Sequence, residues 1–407
     1  MKVLIVGGGA AGLIAAGFAA QNGHAVTLVE RNSRPARKVM ITGKGRCNLT
    51  NACTVEDCVA NTLRNGKFLY SAFAAFPPQE VMALVESLGV RLKTERGNRV
   101  FPVSDKAVDV VDALNAFADK GKPLRIQGRV IDLLLGEGVC YGVRLEDGRE
   151  LKADAVIVCT GGVSYPQTGS TGDGYHLAMQ AGHTVVPPRP SLSALCCAEA
   201  DCADMQGLAL KNAGLTVEDT VRNKVLYRDF GEMLFTHFGI SGPTVLSASA
   251  HMTDMAAGRY RLHIDLKPAL SAEQLDARLV RELAAEQNRA LGNMLPALLP
   301  RSMVVPAAAR AGLDPARKCH TVSREERRRL CEVLKDWTVT VTDFRPISEA
   351  IVTAGGVSVT EVNAKTMASK LVEGLYFAGE VLDVDAYTGG FNLQIAFATG
   401  AAAGRIG

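Results

Sequence analysis

Six residues, Gly7-Gly8-Gly9-Ala10-Ala11-Gly12, restrict the fold of this chain more than any others. They follow an apolar run, Val3 to Val6, and open an Ala-rich stretch, Leu13 to Ala20. A second apolar run, Ala25 to Val29, ends at Glu30. Strand, glycine turn, helix, strand and acid, in that order, are what a dinucleotide-binding βαβ unit requires. Gly7 permits the tight turn, Gly9 lets backbone approach a pyrophosphate, and Gly12 lets the helix pack on the strand. The helix N-terminus then offers unpaired N–H groups and a partial positive charge to phosphate. Glu30, eighteen residues beyond Gly12, is placed to accept from ribose hydroxyls. An acid there, rather than Arg, favours a free 2′-hydroxyl and so FAD or NAD over NADP. A ligand-free Gly-rich turn would account for the glycines but not for the acid.

Bulk properties narrow the class. A chain of 407 residues suggests two or three domains. Hydrophobic residues make up 47%, enough apolar mass for a large core. Lys and Arg number 45 against 42 Asp and Glu, so there is no bulk case for nucleic acid or a membrane surface as partner. A small-molecule substrate is the expected partner, with the oligomeric state left open. The cluster Arg324, Arg327, Arg328, Arg329 is interleaved with Glu325 and Glu326 and reads as a solvated helix face. The uncharged stretch Val3 to Ala20 reads as buried strand plus helix, not as a targeting segment, and no stretch suits a bilayer span. The ten cysteines show neither C-x-x-C nor a Cys/His metal spacing. No metal is expected, and the thiols read as reduced and cytoplasmic.

Along the chain, residues 31–51 read as a loop, and helices are expected at 79–88 and 105–120. Residues 125–151 read as a β-meander and 155–159 as a buried strand stopping at Thr160-Gly161-Gly162. The Pro-rich segment Val186 to Pro190 reads as a domain exit. A β-rich stretch, 191–266, precedes a helical one, 267–337, for which Ser271 is an N-cap. Residues 338–344 return as a strand, Leu375 to Ala378 form another buried strand, and Gly389-Gly390-Phe391-Asn392 opens a last helix to Gly404. The expected α/β architecture is a discontinuous Rossmann-like domain, 1–190 and 345–407. Inserted in it are a β-rich substrate domain, 191–266 and 338–344, and a small helical subdomain, 267–337.

Three separated pieces suit one large cofactor: the opening unit, the strand ending at Thr160-Gly161, and Leu375-Tyr-Phe-Ala-Gly-Glu380 followed by Gly389-Gly390-Phe391-Asn392-Leu393. They resemble the two-dinucleotide-binding-domain flavoproteins of the glutathione-reductase type. Four further strings are Ile41-Thr-Gly-Lys-Gly-Arg-Cys-Asn-Leu-Thr-Asn51, Gly97-Asn-Arg-Val-Phe-Pro102, Leu234-Phe-Thr-His-Phe-Gly-Ile-Ser-Gly-Pro243 and Ala378-Gly-Glu-Val-Leu-Asp-Val-Asp385. Together they are similar to the YhiN/BaiN-like flavoprotein family, which includes aminoacetone oxidases and a bile-acid ring reductase. The resemblance spans essentially the whole chain.

It implies an FAD domain, an inserted β-barrel-like domain and a small helical domain. It also implies residue roles. Gly7, Gly9, Ala10, Ala11 and Gly12 would hold the pyrophosphate. Glu30 would bind the adenosine ribose, flanked by Arg31 and Lys38. Gly45, Arg46 and Asn48 would line the flavin side, and Val130 would meet the adenine through its backbone. Thr160 and Gly161 would back the adenosine, and Glu380 would lie near the ribityl or pyrophosphate. Asn392 and Leu393 would present N–H groups to the flavin pyrimidine edge, where a helix N-terminus stabilises negative charge on reduced flavin. Gly389 and Gly390 would keep side chains away from the flavin. Because no second G-x-G-x-x-G follows, NADH or NADPH is expected only as a transient electron donor.

For acid–base work the candidates are His237, in a β-rich turn, and Tyr387, just before the last glycine pair. Cys47 has no second cysteine at redox spacing. Asp383 and Asp385 suit either a cationic amine or a loop cap. The resemblance implies an FAD-dependent oxidoreductase: an NAD(P)H-linked reductase of conjugated C=C bonds in a 3-oxo steroid or bile-acid-like substrate. An amine oxidase of the aminoacetone type, releasing H2O2, and a non-enzymatic flavin-bound regulatory protein are the alternatives.

Overall fold

The computed structural model describes residues 1–406. The first apolar run forms the strand Lys2–Val6, buried at every position but Lys2. Flanked on both sides, it lies in the middle of a five-stranded parallel sheet. The spatial order is Leu375–Phe377, Ala155–Val158, Lys2–Val6, Ala25–Glu30, Leu124–Gln127. Register matters for function here. Val6 pairs with both Val29 and Val158, and Val158 with Phe377. The segments after these strands, carrying Gly7, Glu30, Thr160 and Glu380, therefore leave from one edge, where open α/β sheets bind ligands.

The helix after the glycine turn, Ala10–Gln21, packs against the C-terminal helix Phe391–Gly404. Both are rich in Ala and Gly, which brings the backbones close. A Cβ on Gly400 would stand 2.4 Å from Ala11 O, and one on Gly404 would stand 2.5 Å from Ala15 O.

Three local expectations change. Leu124–Gln127 joins the parallel sheet as its edge. The antiparallel sheet therefore contains only Val130–Gly136, Val139–Leu145 and Glu150–Lys152. The Pro-rich segment does lead to the unit boundary after Ser191, but as a strand, Val185–Ser191, paired antiparallel with Val352–Val357. Its register breaks between Val186 and Arg189, where Pro187 and Pro188 have no N–H for a ladder. The loop after Glu30 contains a short helix, Arg37–Ile41.

The chain divides into two compact units. One comprises Met1–Ser191 and the chain from Ile347 onward; the other is Leu192–Pro346. The second unit is built on a closed six-stranded barrel of Leu195–Cys197, Gly239–Ser241, Lys224–Thr236, Ala209–Asp219, Tyr260–Asp265 and Trp337–Phe344, in that spatial order. The helical stretch has no core of its own. Leu275, Leu279, Leu330 and Leu334 share one buried cluster with Phe235, Tyr260 and Trp337 of the barrel. Ser271 and Ser323 start their helices with full capping boxes, to Gln274 and Glu326. Arg327 pairs with Asp276 at 2.7 Å, while Arg328 pairs with Glu332 along its own helix. Among the described residues no helix is long and apolar enough to cross a membrane.

Candidate cofactor site

The three glycines of the opening turn are there for different reasons. Gly7 has φ +102°, and a Cβ on it would stand 2.6 Å from Cys159 O. A Cβ on Gly12 would stand 1.9 Å from Gly7 O. Both are demanded by the protein itself. Gly9 is not: its φ is −78°, open to any residue, and its Cβ would meet nothing nearer than Cys159 O at 4.0 Å. What Gly9 keeps empty is space at a helix N-terminus that no side chain caps. An uncapped N-terminus with room for backbone contact fits a pyrophosphate.

Glu30 braces this turn. One carboxylate oxygen accepts from Gly8 N at 2.7 Å, and the other from Asn32 N and Nδ2 at 2.8 Å. A carboxylate has about four acceptor positions, so capacity remains for a ribose hydroxyl. Arg31 donates to Thr171 Oγ1 at 2.5 Å and Asp173 at 3.1 Å, and Arg129 forks onto the same Asp173. Val130, buried, begins its strand opposite Leu145. Thr160 has a buried hydroxyl oxygen without a protein partner, and Gly161 turns the chain at φ +74°.

Lys38 and Glu380, 342 residues apart, meet at 2.8 Å. Lys38 Nζ also donates to Ser164 Oγ at 2.7 Å, and Thr353 N donates to Glu380 at 2.8 Å. One ion pair thus joins the segment after the second strand to those after the fourth and fifth strands in chain order. Ser164 and Thr353 carry no sequence signal for this.

At the other end, the helix Phe391–Gly404 starts from Gly390. Asn392 accepts from Ala386 N at 3.0 Å and donates to Ala386 O at 2.8 Å and Tyr387 O at 3.2 Å. Its side chain closes the preceding loop, while the N–H groups of Asn392 and Leu393 stand in the helix's first turn, without intrahelical partners. With its amide turned so that donors meet acceptors, Asn48 donates to Val100 O and Thr50 O and accepts from Gly390 N at 3.1 Å. One expectation is corrected: Gly390 makes room for protein. A Cβ on it would stand 2.3 Å from the Thr50 carbonyl carbon, and one on Gly389 would stand 3.2 Å from the Phe391 ring. Gly45, at φ +82°, has open space around it. The Arg46 guanidinium is held by Glu95 and Asp105 and lies 4.2 Å from the Phe101 ring centre.

The HI0933-like protein Rossmann domain model matches residues 1–406. The chain belongs to this HI0933-like family. Its full-length relatives include a 3-dehydro-bile acid delta(4,6)-reductase of Clostridium scindens, 32% identical over 414 residues, covering 99% of this chain and 98% of that protein. A ribosomal RNA dihydrouridine synthase of Escherichia coli is 31% identical over 400 residues, covering 97% and 95%. Among solved structures, a 3-ketosteroid delta1-dehydrogenase from Sterolibacterium denitrificans superposes with a TM-score of 0.50 at 14% identity, covering 99% of this chain and 98% of that one. At that identity the likeness concerns the Rossmann-type fold. As a member of the HI0933-like family the protein is an FAD-dependent oxidoreductase, and the open Gly9 niche, the uncapped helix and the Thr160 hydroxyl fit that cofactor.

The candidates for proton chemistry in this HI0933-like protein lie in different settings. His237 is exposed in the two-residue turn between two barrel strands, its ring edge-on to Phe238 at 5.0 Å. Tyr387 is half-buried; its N donates to Asn61 O, and its O accepts from Asn392. Cys47 is fully buried, and burial pushes its thiol up to about 12, which suits a packed side chain.

Asp383 and Asp385 do not form an open amine site. Both are buried, and the cation facing them is the chain's own Arg64, at 3.8 and 3.9 Å. Ser191 Oγ donates to Asp385 at 2.6 Å, and the other Asp385 oxygen has no hydrogen bond. Burial raises the Asp385 carboxyl above its ordinary 3.8, against the opposing pull of Ser191, Arg189 and Arg64. The native state therefore holds this proton to higher pH than the unfolded chain. Its contribution to stability is complete below the unfolded value and falls as pH rises through the native one. Asp385→Asn removes that slope. The wild type is expected to lose stability relative to the variant between about pH 4 and about pH 7. Urea unfolding at both pH values checks this; an equal difference at the two rejects it.

Proposed function

We propose that this protein reduces carbon–carbon double bonds conjugated to a carbonyl, with NADH or NADPH as transient donor and a 3-oxo steroid or bile-acid-like molecule as substrate. The observation that carries this reading is the 32% identity to the Clostridium scindens reductase, which runs through both units of the chain. A second reading, uridine in ribosomal RNA, is favoured by the similar identity to the Escherichia coli synthase. Dihydrouridine is uridine with one double bond beside a carbonyl saturated, so the two readings share one reaction type. The near-balanced charge, 45 basic against 42 acidic residues, supports the small molecule, because RNA binding draws on phosphate neutralisation.

Bound FAD would supply the hydride chemistry between a nicotinamide and the electron-poor carbon of such a bond. The chain's own part is to hold and to protonate. The Gly7–Gly12 turn and the uncapped helix bind the pyrophosphate, Glu30 the ribose, and the Lys38–Glu380 pair fixes the loops between them. The first-turn N–H groups of Asn392 and Leu393 favour negative charge beside them. Tyr387 or His237 supplies the proton for the second carbon.

The test begins with anaerobic reduction by NADH or NADPH, followed by mixing with a 3-oxo-Δ4 steroid, a uridine-containing ribosomal RNA fragment, or O2. Reoxidation by the enone with a saturated product is expected. Reoxidation by RNA alone replaces the first reading with the second, and amine-driven H2O2 without nicotinamide oxidation overturns both. In the same assay, Tyr387→Phe and His237→Ala are compared. The residue that supplies the proton loses roughly 10²–10⁴-fold in enone reduction, while reduction by the nicotinamide is unchanged. If both variants keep full turnover, neither is the acid.

A further inference from the structure

The sulfurs of Cys53 and Cys58 lie 3.5 Å apart. Cys58 is fully buried and Cys53 is 9% exposed. Between them runs the helix Val55–Ala60, started by Thr54 with a capping box to Asp57. The segment that carries both thiols is a strap fastened at each end to the loop before the C-terminal helix. On the Cys53 side, Asn51 Nδ2 donates to Gly389 O at 3.1 Å. On the Cys58 side, Tyr387 N donates to Asn61 O at 3.0 Å, and Leu63 N donates to Asp385 O at 2.8 Å. Asn65 Nδ2 reaches Asp383 O at 2.7 Å. The thiol pair thus sits midway in a strap that holds residues 383–389, and these lead into the helix carrying Asn392 and Leu393.

We propose that Cys53 and Cys58 are a modification site: a reversible disulfide, formed by hydrogen peroxide, that tightens the strap and alters the hold on FAD. The more exposed sulfur, Cys53, attacks peroxide. An S–O bond forms, the O–O bond breaks, and one water leaves, giving a sulfenic acid. Cys58 sulfur then displaces the oxygen. The S–S bond forms, the S–O bond breaks, and a second water leaves with the Cys58 proton. Two electrons pass from the thiols to peroxide, and a dithiol reductant returns them. The hydrogen bond between the two sulfurs holds the Cys53 thiol below its ordinary value and pushes that of Cys58 up, the order of reactivity this sequence needs. Closing 3.5 Å to the bond length of about 2.05 Å requires the short helix to shift, and both its flanks are tied to residues 383–389. No particular substrate of the flavin is required.

The experiment uses the FAD-loaded protein, treated with stoichiometric hydrogen peroxide and then alkylated. Trypsin releases one peptide, residues 47–64, with Cys47, Cys53 and Cys58; further cleavage before Asp57 separates the last two unless they are bonded. The expected result has three parts: loss of two free thiols, a Cys53–Cys58 link, and a change of roughly tenfold in the apparent FAD dissociation constant, equivalent to about 1.4 kcal/mol. A dithiol reductant reverses all three, and Cys53→Ser and Cys58→Ser abolish the link. A link confined to Cys197 and Cys202 of the barrel unit, a link through Cys47, or no link overturns the site. A Cys53–Cys58 link with unchanged FAD affinity overturns its action on the cofactor. The mapping uses the wild-type chain, so it stands even if a variant fails to fold.

Discussion

Gly9→Val is expected to yield a folded protein without FAD. The added Cβ meets no protein atom nearer than Cys159 O at 4.0 Å, and the backbone there is extended. A stability change within about 1 kcal/mol follows, as for other substitutions away from packed sites. The Val methyls instead fill the niche over the helix N-terminus. Phosphate oxygens reach those N–H groups only if nothing stands between them. Loss of at least roughly a hundredfold in FAD affinity is expected, about 2.8 kcal/mol. Flavin absorbance of the purified variant, with a thermal melt of apoprotein beside it, reads both effects. Normal flavin content would refute the pyrophosphate placement. Gly12→Ala makes the contrast: its Cβ would stand 1.9 Å from backbone, so fold and flavin are lost together.

The second large effect is expected at Gly400. Val there would drive a branched side chain into the Ala11 carbonyl, with the Cβ alone at 2.4 Å from the oxygen and 3.0 Å from Cα. The obstacle is helix backbone, which cannot rotate away as a flexible side chain would. Overpacking of this kind costs about 3 kcal/mol or more. In a unit of this size that lowers the melting temperature by roughly 6–12 °C. Because Ala11 stands in the first turn of the glycine-turn helix, FAD retention is expected to fall as well. A melt indistinguishable from wild type would mean the two helices are not packed as described.

The parts legible in sequence are those whose physics is local. The turn at Gly7–Gly12, the acid at Glu30 and the N-cap at Ser271 each involve a few neighbouring residues. Where the reason for a residue lies far along the chain, reading failed. Gly390 looked like clearance for a ligand, yet what fills that clearance is Thr50, some 340 residues earlier. Asp385 looked like a docking point for a cation, and Arg64 already stands there. Pro187 and Pro188 looked like a domain exit, and the boundary does follow at Ser191, but they stand inside a paired strand. They are tolerated because a strand can skip its ladder for two residues. Lys38 and Glu380 were each singled out, but nothing local said that they are partners.

The contact between the glycine-turn helix and the C-terminal helix also bears on how the protein is made. Synthesis proceeds from the N-terminus, and domains generally fold as units while it does. The residues that open the cofactor site leave the ribosome before Leu192–Pro346, and Glu380 and the helix Phe391–Gly404 leave it after. Between them the whole of Leu192–Pro346 emerges, with a buried core of its own. The inserted unit is therefore able to reach its fold on the ribosome while the first 191 residues still wait for their closing strand and helix. A chain stopped before Phe391 is expected to hold every barrel strand but a cofactor cradle without its last helix.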